Sequence, residues 1–391
     1  MGDDGTVIVV EAGRTGLVWA VGDNGRLHQI AFGADVADRR PELPIGLHPL
    51  AYPTFGEEPL RDPALRITHA DGVQSTRLRF ARHTEEGAAE GDGVLHRIEL
   101  VDRVAPLAVT LTVRTWPAHH VIEHAVEVTN QGNAPITVHR AAGSAPSFAG
   151  AAPHLTHWGG GWAGEWTETT ERLWPGTKTV ASAGGVRPSL YRPPLVLLAP
   201  GGRVDENEGS VGACTVVWGG DVRFDAEVFL HGHLRLIAGH QDQGAERVLE
   251  SGETFTSPSV LWTWSNDGIG PTSRALHGFV RQQAVRDGER LRATVVNTWE
   301  AVGFGLDPDG LAEQVDRAAD LGAELFLLDD GWFGTTHPRD DDTTSLGDWG
   351  VDPRKFPAGL GPVVERTLER GMRFGLWVEP EMVNPVSNLY G

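Results

Sequence analysis

The sequence predicts a multidomain protein in which a large all-β region precedes a set of α/β units. Three observations support this prediction. The chain has 391 residues, more than one core of ordinary size requires. Residues 1–271 contain short runs of alternating apolar and polar residues, separated by Gly, Pro, Asn and Asp. From residue 272 onward, the apolar residues recur with the period of a helix.

The β region is predicted over residues 1–271 as a β-sandwich, because short strands broken by turn residues are typical of that architecture. The turn residues Asn130-Gln131-Gly132-Asn133 predict a hairpin between two alternating runs. The clearest predicted strands are Gly16–Ala20, Arg77–Phe80, Leu107–Val113, Val121–Val128, Thr215–Trp218 and Arg223–Leu230.

A linker helix is predicted over residues 272–292. Its apolar residues are Leu276, Phe279, Val280 and Ala284, at the spacing of one helix face.

Residues 293–391 alternate strands and helices. The predicted strands are Ala293–Val296, Leu325–Leu328 and Arg373–Val378. Because they are apolar throughout and separated by helices, they predict parallel β/α units with both sheet faces covered. Three units are too few for a closed (β/α)8 barrel, which needs about 250 residues, and we therefore expect a partial barrel.

The first helix between these strands has clear boundaries. Asp307 is the predicted N-cap, Pro308 occupies the first helical position and Gly322 lies just past the end. The helix face is predicted at Leu311, Val315 and Ala318.

The second helix is predicted around Leu360, Val364 and Leu368 and ends at Gly371.

The composition excludes several functional classes. The 33 Lys and Arg against 53 Asp and Glu give a net charge of −20, which disfavours nucleic acid and membrane surfaces as partners. Cys214 is the single cysteine, so an internal disulfide framework and a Cys-rich zinc site are excluded. The N-terminus is acidic and no long apolar run follows, so we expect a cytoplasmic protein.

Each predicted parallel strand is followed by a carboxylate and a tryptophan. The three segments are Asn297–Glu300, Asp329–Phe333 and Trp377–Met382. Parallel β/α folds bind ligands at the carboxyl ends of their strands, and flat indole rings suit the faces of sugars. The pattern predicts a sugar or polyol site.

Several sequence blocks occur here in a distinctive order. They are Asn297-Thr-Trp-Glu-Ala301, Leu328-Asp-Asp-Gly-Trp-Phe-Gly334, Arg339-Asp-Asp-Asp342, Ser345-Leu-Gly-Asp-Trp349, Lys355-Phe-Pro-Ala-Gly-Leu360 and Gly371–Val383. Together they resemble bacterial α-galactosidases of glycoside hydrolase family 36. The N-terminal region resembles the family more loosely, through Tyr52–Gly56, Arg61–Pro63 and Val121–Asn130.

The resemblance implies a β-supersandwich at residues 1–271 and the first three β/α units of a catalytic (β/α)8 barrel at residues 293–391. It implies hydrolysis of terminal α-galactosidic bonds, as in melibiose and raffinose, with retention and without a metal or organic cofactor. The catalytic carboxylates of the family lie on later barrel strands. We therefore expect them beyond Gly391, and we expect the 391-residue chain alone to be inactive. The family also implies a homo-oligomer, a tetramer.

The resemblance assigns recognition roles to five residues. Asp329 and Asp330 match paired acids that accept hydrogen bonds from the O4 and O6 hydroxyls of galactose. Trp377 matches a tryptophan of the galactose pocket, and Trp299 one at its rim that bears on the next sugar. Trp349 lies in a loop motif for which binding and packing are equally expected.

Two alternatives stay open at this stage. One is a relative that transfers galactosyl groups or prefers N-acetylgalactosamine, and the other is a non-catalytic galactoside-binding protein. Sequence after Gly391 would discriminate them. Residues near the acceptor and O2 subsites decide the first alternative, and a Lys-x-Asp segment indicates an enzyme instead of a binding protein.

Overall fold

The computed structural model describes residues 6–58, 61–87, 93–185, 187–229 and 232–391. The chain divides into two compact units, Met1–Gly288 and Glu289–Gly391. Within the described residues, no helix combines the length and apolar character that crossing a membrane requires.

The first unit consists mainly of antiparallel strands. In chain order they are β1 (Val7–Ala12), β2 (Thr15–Val21), β3 (Leu27–Ala34), β4 (Leu65–Thr68), β5 (Leu78–Gly87), β6 (Val94–Asp102), β7 (Leu107–Trp116), β8 (Val121–Asn130), β9 (Ile136–Ala141), β10 (Ser147–Ala149), β11 (His154–Gly159), β12 (Thr167–Arg172), β13 (Gly176–Ala181), β14 (Leu195–Ala199), β15 (Val211–Val217), β16 (Val222–Val228), β17 (His233–His240), β18 (Arg247–Leu249), β19 (Thr254–Thr256) and β20 (Ser259–Ser265). Its helices are α1 (Pro188–Tyr191) and α2 (Ile269–Phe279), with short 3-10 turns at Ile45–Leu47 and Pro117–His119 and a π-turn at Val280–Ala284.

These strands form four sheets. The largest has ten strands, in the order β12-β11-β14-β15-β20-β8-β7-β6-β5 with β19 on β8. A four-stranded sheet (β10-β17-β16-β13) and two three-stranded sheets (β1-β2-β3 and β18-β9-β4) complete the unit. One hydrophobic core contains side chains from all four sheets, so the predicted β-sandwich is confirmed.

Aromatic rings connect the sheets within this core. Phe32 of β3 meets Trp262 of β20 edge to face, with 5.2 Å between ring centroids, and Phe148 of β10 stacks on Trp264 at 5.1 Å. Trp262 is fully buried, and its indole N–H donates to the Ser144 hydroxyl at 3.0 Å. Three sheets therefore depend on one aromatic cluster.

The six predicted strands overlap observed strands, although Leu230 lies outside the described residues. The predicted hairpin at Asn130–Asn133 is wrong. β8 already pairs with β7 on one side and with β20 and β19 on the other. Because no edge of β8 is left, the chain crosses at this turn to β9 in another sheet.

The first part of the segment predicted as a linker helix packs within the first unit. α2 begins at Ile269, and Phe279 lies edge to face against Trp116, with ring centroids 5.3 Å apart. Residues 285–294 form turns and coil, so the predicted linker helix is wrong over residues 285–292.

The second unit is a small parallel sheet with helices. Its strands are β21 (Val295–Asn297), β22 (Leu325–Leu328) and β23 (Arg373–Leu376), in that order, and its helices are α3 (Trp299–Val302), α4 (Pro308–Asp320) and α5 (Gly361–Glu369). Phe326 and Leu328 of the central strand are buried, whereas Val295 is 48% and Leu376 is 37% exposed.

Helix α4 has the predicted start and the predicted face. The Asp307 carboxylate accepts a hydrogen bond from the Gly310 N–H at 2.8 Å, and Leu311, Val315 and Ala318 are buried.

The second predicted helix is observed as α5, and Leu360 at its start packs against the core. Val363 and Thr367 are buried, whereas Leu368 is 59% exposed. The Thr367 hydroxyl donates to the Val363 carbonyl at 2.8 Å, so threonine can be buried with its polar group satisfied. A pattern of apolar residues alone does not predict the burial of a threonine.

Trp262→Ala is expected to lower the free energy of unfolding by about 3–5 kcal/mol, because it leaves a cavity at the contact of three sheets. Urea unfolding measures the change. Trp162→Ala is the control, because Trp162 is 88% exposed and its loss should change stability little. Equal stability of the two variants would contradict the proposed importance of the aromatic cluster.

Candidate functional site

The carboxyl ends of the three parallel strands lie side by side along one edge of the second unit. Asn297 of β21 pairs with Leu327 of β22, and Leu328 pairs with Leu376 of β23. The backbone N–H of Trp377 donates to the Leu328 carbonyl at 2.9 Å. The polar residues that follow these strands are thus neighbours in space.

Asp329 is buried and held by its neighbours at this edge. The Asn297 side-chain N–H donates to Asp329 Oδ2 at 2.5 Å, and the Asp330 backbone N–H donates to Oδ1 at 2.7 Å. The Thr298 hydroxyl accepts a hydrogen bond from the Asp329 N–H at 3.1 Å. A carboxylate accepts about four hydrogen bonds, so each oxygen of Asp329 retains acceptor capacity.

Asp330 forms a buried ion pair with Arg339. Arg339 Nη2 lies 2.7 Å from Asp330 Oδ2 and Arg339 Nε lies 2.9 Å from Oδ1, while the Gly331 N–H also donates to Oδ1 at 2.6 Å. Arg339 Nη1 donates to the Thr344 carbonyl at 2.8 Å and to Asn384 Oδ1 at 3.3 Å. The acceptor capacity of Asp330 is therefore mostly used within the protein.

The chain turns sharply after the two acids. Gly331 has φ +99°, and a Cβ atom there would lie 3.2 Å from Phe304 Cα, so both conformation and space favour glycine. The turn directs Trp332 across the sheet edge, where its indole N–H donates to the Trp377 carbonyl at 2.9 Å. The strand ends of β22 and β23 are linked in this way.

Lys355 connects three loops around the acids. Its ammonium donates to the carbonyls of Phe304 at 3.0 Å, Gly331 at 2.9 Å and Arg339 at 2.8 Å. It also lies 3.1 Å from an Asp340 oxygen. Three N–H donors thus match three carbonyls, and the ammonium position is fixed.

Two further acids stay ionised beside Lys355. Burial alone would raise the pKa of Asp352, but hydrogen bonds from the side chain and backbone N–H of Arg354 lower it below its usual value. Burial alone would also raise the pKa of Asp340, but hydrogen bonds from Lys355 and Arg354 lower it below its usual value. Arg354 therefore bridges two carboxylates.

Four aromatic side chains pack together beside the ion pair. Phe333 lies 4.6 Å from Trp349 and 6.4 Å from Trp377, measured between ring centroids. Trp332 lies 5.2 Å from Phe333 and 6.3 Å from Trp349. Trp349 and Trp377 are each half-buried in this cluster.

The guanidinium of Arg339 lies between two aromatic rings. Its central carbon is 5.3 Å from the Phe304 ring centroid and 5.8 Å from that of Phe333. Phe304 in turn meets Trp299 edge to face at 5.0 Å, and Trp299 is 36% exposed. Arg339 thus connects the aromatic cluster, the acid pair and the more exposed tryptophan.

The five residues predicted from the sequence belong to this network. Asp329 and Asp330 lie together, Trp349 and Trp377 share the aromatic cluster, and Trp299 contacts Phe304 at the end of β21. Their roles in binding stay a prediction.

The residues that organise the site were missed. They are Asn297, Phe304, Phe333, Arg339 and Lys355. All except Phe304 belong to sequence blocks that carry the family resemblance, which was the available signal, but their partners depend on the fold.

Comparison with known proteins gives matches along most of the chain. Residues 22–250 match the family described as Glycosyl hydrolase family 36 N-terminal domain, and residues 254–391 match the family described as Melibiase. A probable alpha-galactosidase G of Emericella nidulans is 32% identical over 361 residues, covering 87% of this chain and 49% of the relative. A bifunctional alpha-galactosidase/sucrose kinase of Mediterraneibacter gnavus is 32% identical over 356 residues, covering 88% and 38%.

Solved structures show the same fold. An alpha-galactosidase from Lactobacillus brevis superposes with a TM-score of 0.91 at 27% identity, covering 99% of this chain and 56% of that one. A variant of the alpha-galactosidase AgaA from Geobacillus stearothermophilus in complex with stachyose gives 0.90 at 28% identity, covering 98% and 58%. The chain thus spans about half the length of these relatives, or less.

Arg339→Met is expected to lower the free energy of unfolding by about 3–5 kcal/mol, because it leaves the buried Asp330 carboxylate without its partner. Combining it with Asp330→Asn should cost clearly less than the sum of the two single changes. Urea unfolding gives the three values, with Arg317→Met as the control at a residue whose side chain is 79% exposed. A double variant whose loss of stability equals the sum of the two single losses would contradict energetic coupling between Asp330 and Arg339.

Asp352→Asn is expected to lower the Tm by a few degrees at pH 7. The pKa of Asp352 is lowered in the folded state, so its contribution is present above the unfolded pKa of about 3.9 and is lost as the pH falls through the lower folded value. Thermal unfolding from pH 7 to pH 3 should show the difference between wild type and variant shrinking below about pH 4. A Tm difference between wild type and variant that grows towards low pH would contradict a lowered pKa of Asp352 in the folded state.

Proposed function

The chain belongs to glycosyl hydrolase family 36, and from that premise we propose that the whole protein hydrolyses terminal α-galactosidic bonds in galactosides such as melibiose and raffinose. The observation that carries the proposal is a fixed, buried carboxylate at the end of a parallel strand, Asp329, beside a cluster of tryptophans. Relatives named as alpha-galactosidases, among them structures with stachyose and raffinose, support it.

We propose that β21, β22 and β23 are the first three strands of a (β/α)8 barrel. Their parallel order and the covering helices α4 and α5 fit that architecture. We propose a β-supersandwich at residues 1–271 and the partial barrel at residues 293–391, as predicted from the sequence. The predicted linker at residues 272–292 contains most of α2, which packs within the first unit. Homotetramer formation and a cytoplasmic location stay predictions.

Asp329 is proposed as the main ligand of the sugar hydroxyls. Each of its oxygens accepts one hydrogen bond from the protein and retains capacity for another. A fixed acceptor recognises a hydroxyl better than a mobile one, because little side-chain entropy is lost on binding.

Asp330 is proposed to bind hydroxyls of the same sugar, although it has less free hydrogen-bond acceptor capacity than Asp329. Arg339 donates to both of its oxygens. The paired acids would receive the O4 and O6 hydroxyls of galactose, as the family resemblance implies.

The tryptophans are proposed to bind the apolar faces of the sugars. Trp377, half-buried and stacked near Phe333, would contact the galactose ring. Trp299 is more exposed and would contact the next sugar at the rim. Trp349 packs closely against Phe333, so we propose that it shapes the pocket wall.

The catalytic step requires two further carboxyl groups. A retaining glycosidase places its nucleophile and its acid/base about 5–5.5 Å apart across the bond. We propose that both lie in the part of the relatives that this chain does not span. The chain would then supply recognition, and the 391 residues alone would give no turnover.

Asp329→Asn in the whole protein is expected to lower kcat/KM for an aryl α-galactoside by about tenfold to a hundredfold, because a hydrogen bond to a charged acceptor contributes about 1.5–3 kcal/mol. Steady-state kinetics and thermal unfolding are measured together, with exposed Asp309→Asn as the matched control.

Unchanged kinetics with an intact fold would remove Asp329 from the sugar site. A whole protein that binds galactosides without turnover would favour a non-catalytic binding role instead. Turnover by the 391-residue chain alone would show that the catalytic carboxylates have been misplaced.

A further inference from the structure

Two histidines and a glutamate meet on one face of the β5–β6 hairpin, in the first unit. Glu85 of β5 lies directly opposite His96 of β6, and His83 precedes Glu85 by two residues. Because side chains alternate between the faces of a strand, all three share a face. β5 is the last strand in the order of the ten-stranded sheet.

The ligand atoms of these side chains form a nearly equilateral triangle. His83 Nε2 and His96 Nδ1 are 3.2 Å apart. Glu85 Oε1 lies 3.6 Å from His83 Nε2 and 3.5 Å from His96 Nδ1. A tetrahedral Zn²⁺ with bonds of about 2.0–2.2 Å separates its ligand atoms by about 3.3–3.5 Å. The three donors are thus spaced close to one face of a zinc tetrahedron.

The site is reachable from solvent on one side. His96 is 5% exposed, and the His83 side chain is 16% exposed. The Glu85 side chain is 57% exposed and remains reachable from solvent. Imidazoles and a reachable carboxylate are suitable zinc ligands.

We propose that His83, Glu85 and His96 bind one Zn²⁺ ion, with a water molecule at the fourth position. His83 Nε2 and His96 Nδ1 face each other at hydrogen-bonding distance, and their rings are nearly parallel, with 6° between the planes. Zinc binding requires both facing nitrogens to be unprotonated, with each ring proton on the other nitrogen, and the rings to turn so that both lone pairs point at the metal.

The bound ion would cross-link the edge strand β5 to its neighbour β6. An edge strand has one unpaired side and opens more easily than a central strand. Ligands from both strands would hold the register of the hairpin, since a slip of one residue would move His96 to the other face. This role is structural, and it does not depend on the proposed galactoside hydrolysis.

The purified 391-residue chain, stripped with a chelator, is titrated with Zn²⁺ by calorimetry, and its Tm is measured with and without the ion. One equivalent should bind, and the Tm should rise by a few degrees when Zn²⁺ greatly exceeds the Kd. Glu85→Gln and His83→Gln should each weaken binding at least about tenfold. The Glu85 side chain is 57% exposed and His83 is replaced by a polar side chain at a partly exposed position, so these variants are expected to fold.

Glu86→Gln is the matched control. Glu86 is the next residue along β5 and points to the opposite face, so zinc affinity should not change. Anomalous diffraction from a zinc-soaked crystal should locate the ion between His83 and His96. Absence of binding, equal affinity of the Glu85→Gln and Glu86→Gln variants, or zinc bound only at other histidines would each overturn the proposal.

Discussion

The buried ion pair between Asp330 and Arg339 is the interaction on which the second unit depends. Removing two charges from water is costly, and only close pairing with full hydrogen bonding offsets that cost. Arg339 meets the requirement with bonds to both oxygens of Asp330, to the Thr344 carbonyl and to Asn384. Because the rings of Phe304 and Phe333 lie on the guanidinium, the same residue also sets where the aromatic cluster can lie. The end of β22 and the long loop after it therefore adopt one arrangement together.

This constraint explains how a small parallel sheet presents several polar groups at one edge. Asn297 holds Asp329 from the neighbouring strand, and Lys355 satisfies three loop carbonyls at once. Asp329, Asp330 and Lys355 each bond to residues of another segment, so these segments cannot move independently without leaving a donor or acceptor unpaired. A recognition site benefits from such fixed groups, because the cost of ordering them is already met in folding.

Local patterns in the sequence predicted the elements well but not the partners. Alternation identified the strands of the sandwich, and Asp307 with Pro308 marked the start of α4, since both signals lie within a few residues. The hairpin after β8 was wrong because the sheet to which the next strand belongs is decided by long-range pairing. The burial of Thr367 in α5 was not predicted, because it depends on a hydrogen bond from the threonine hydroxyl to the Val363 carbonyl inside the helix. Arg339 and the triangle of His83, Glu85 and His96 were missed because loop geometry and cross-strand register decide those contacts.

The saturated ammonium of Lys355 has a consequence for chemical labelling. Lys178 and Lys355 are the only two lysines in the sequence. Acylation requires an accessible amine, whereas the Lys355 side chain is 12% exposed and donates to three carbonyls. Lys178 lies on β13, where its side chain is 39% exposed and forms an ion pair with Glu171. Its amine is therefore more accessible than that of Lys355. Of these two lysines, an amine-reactive dye or resin should therefore attach mainly through Lys178 in the first unit, leaving Lys355 beside the strand ends of the second unit unmodified.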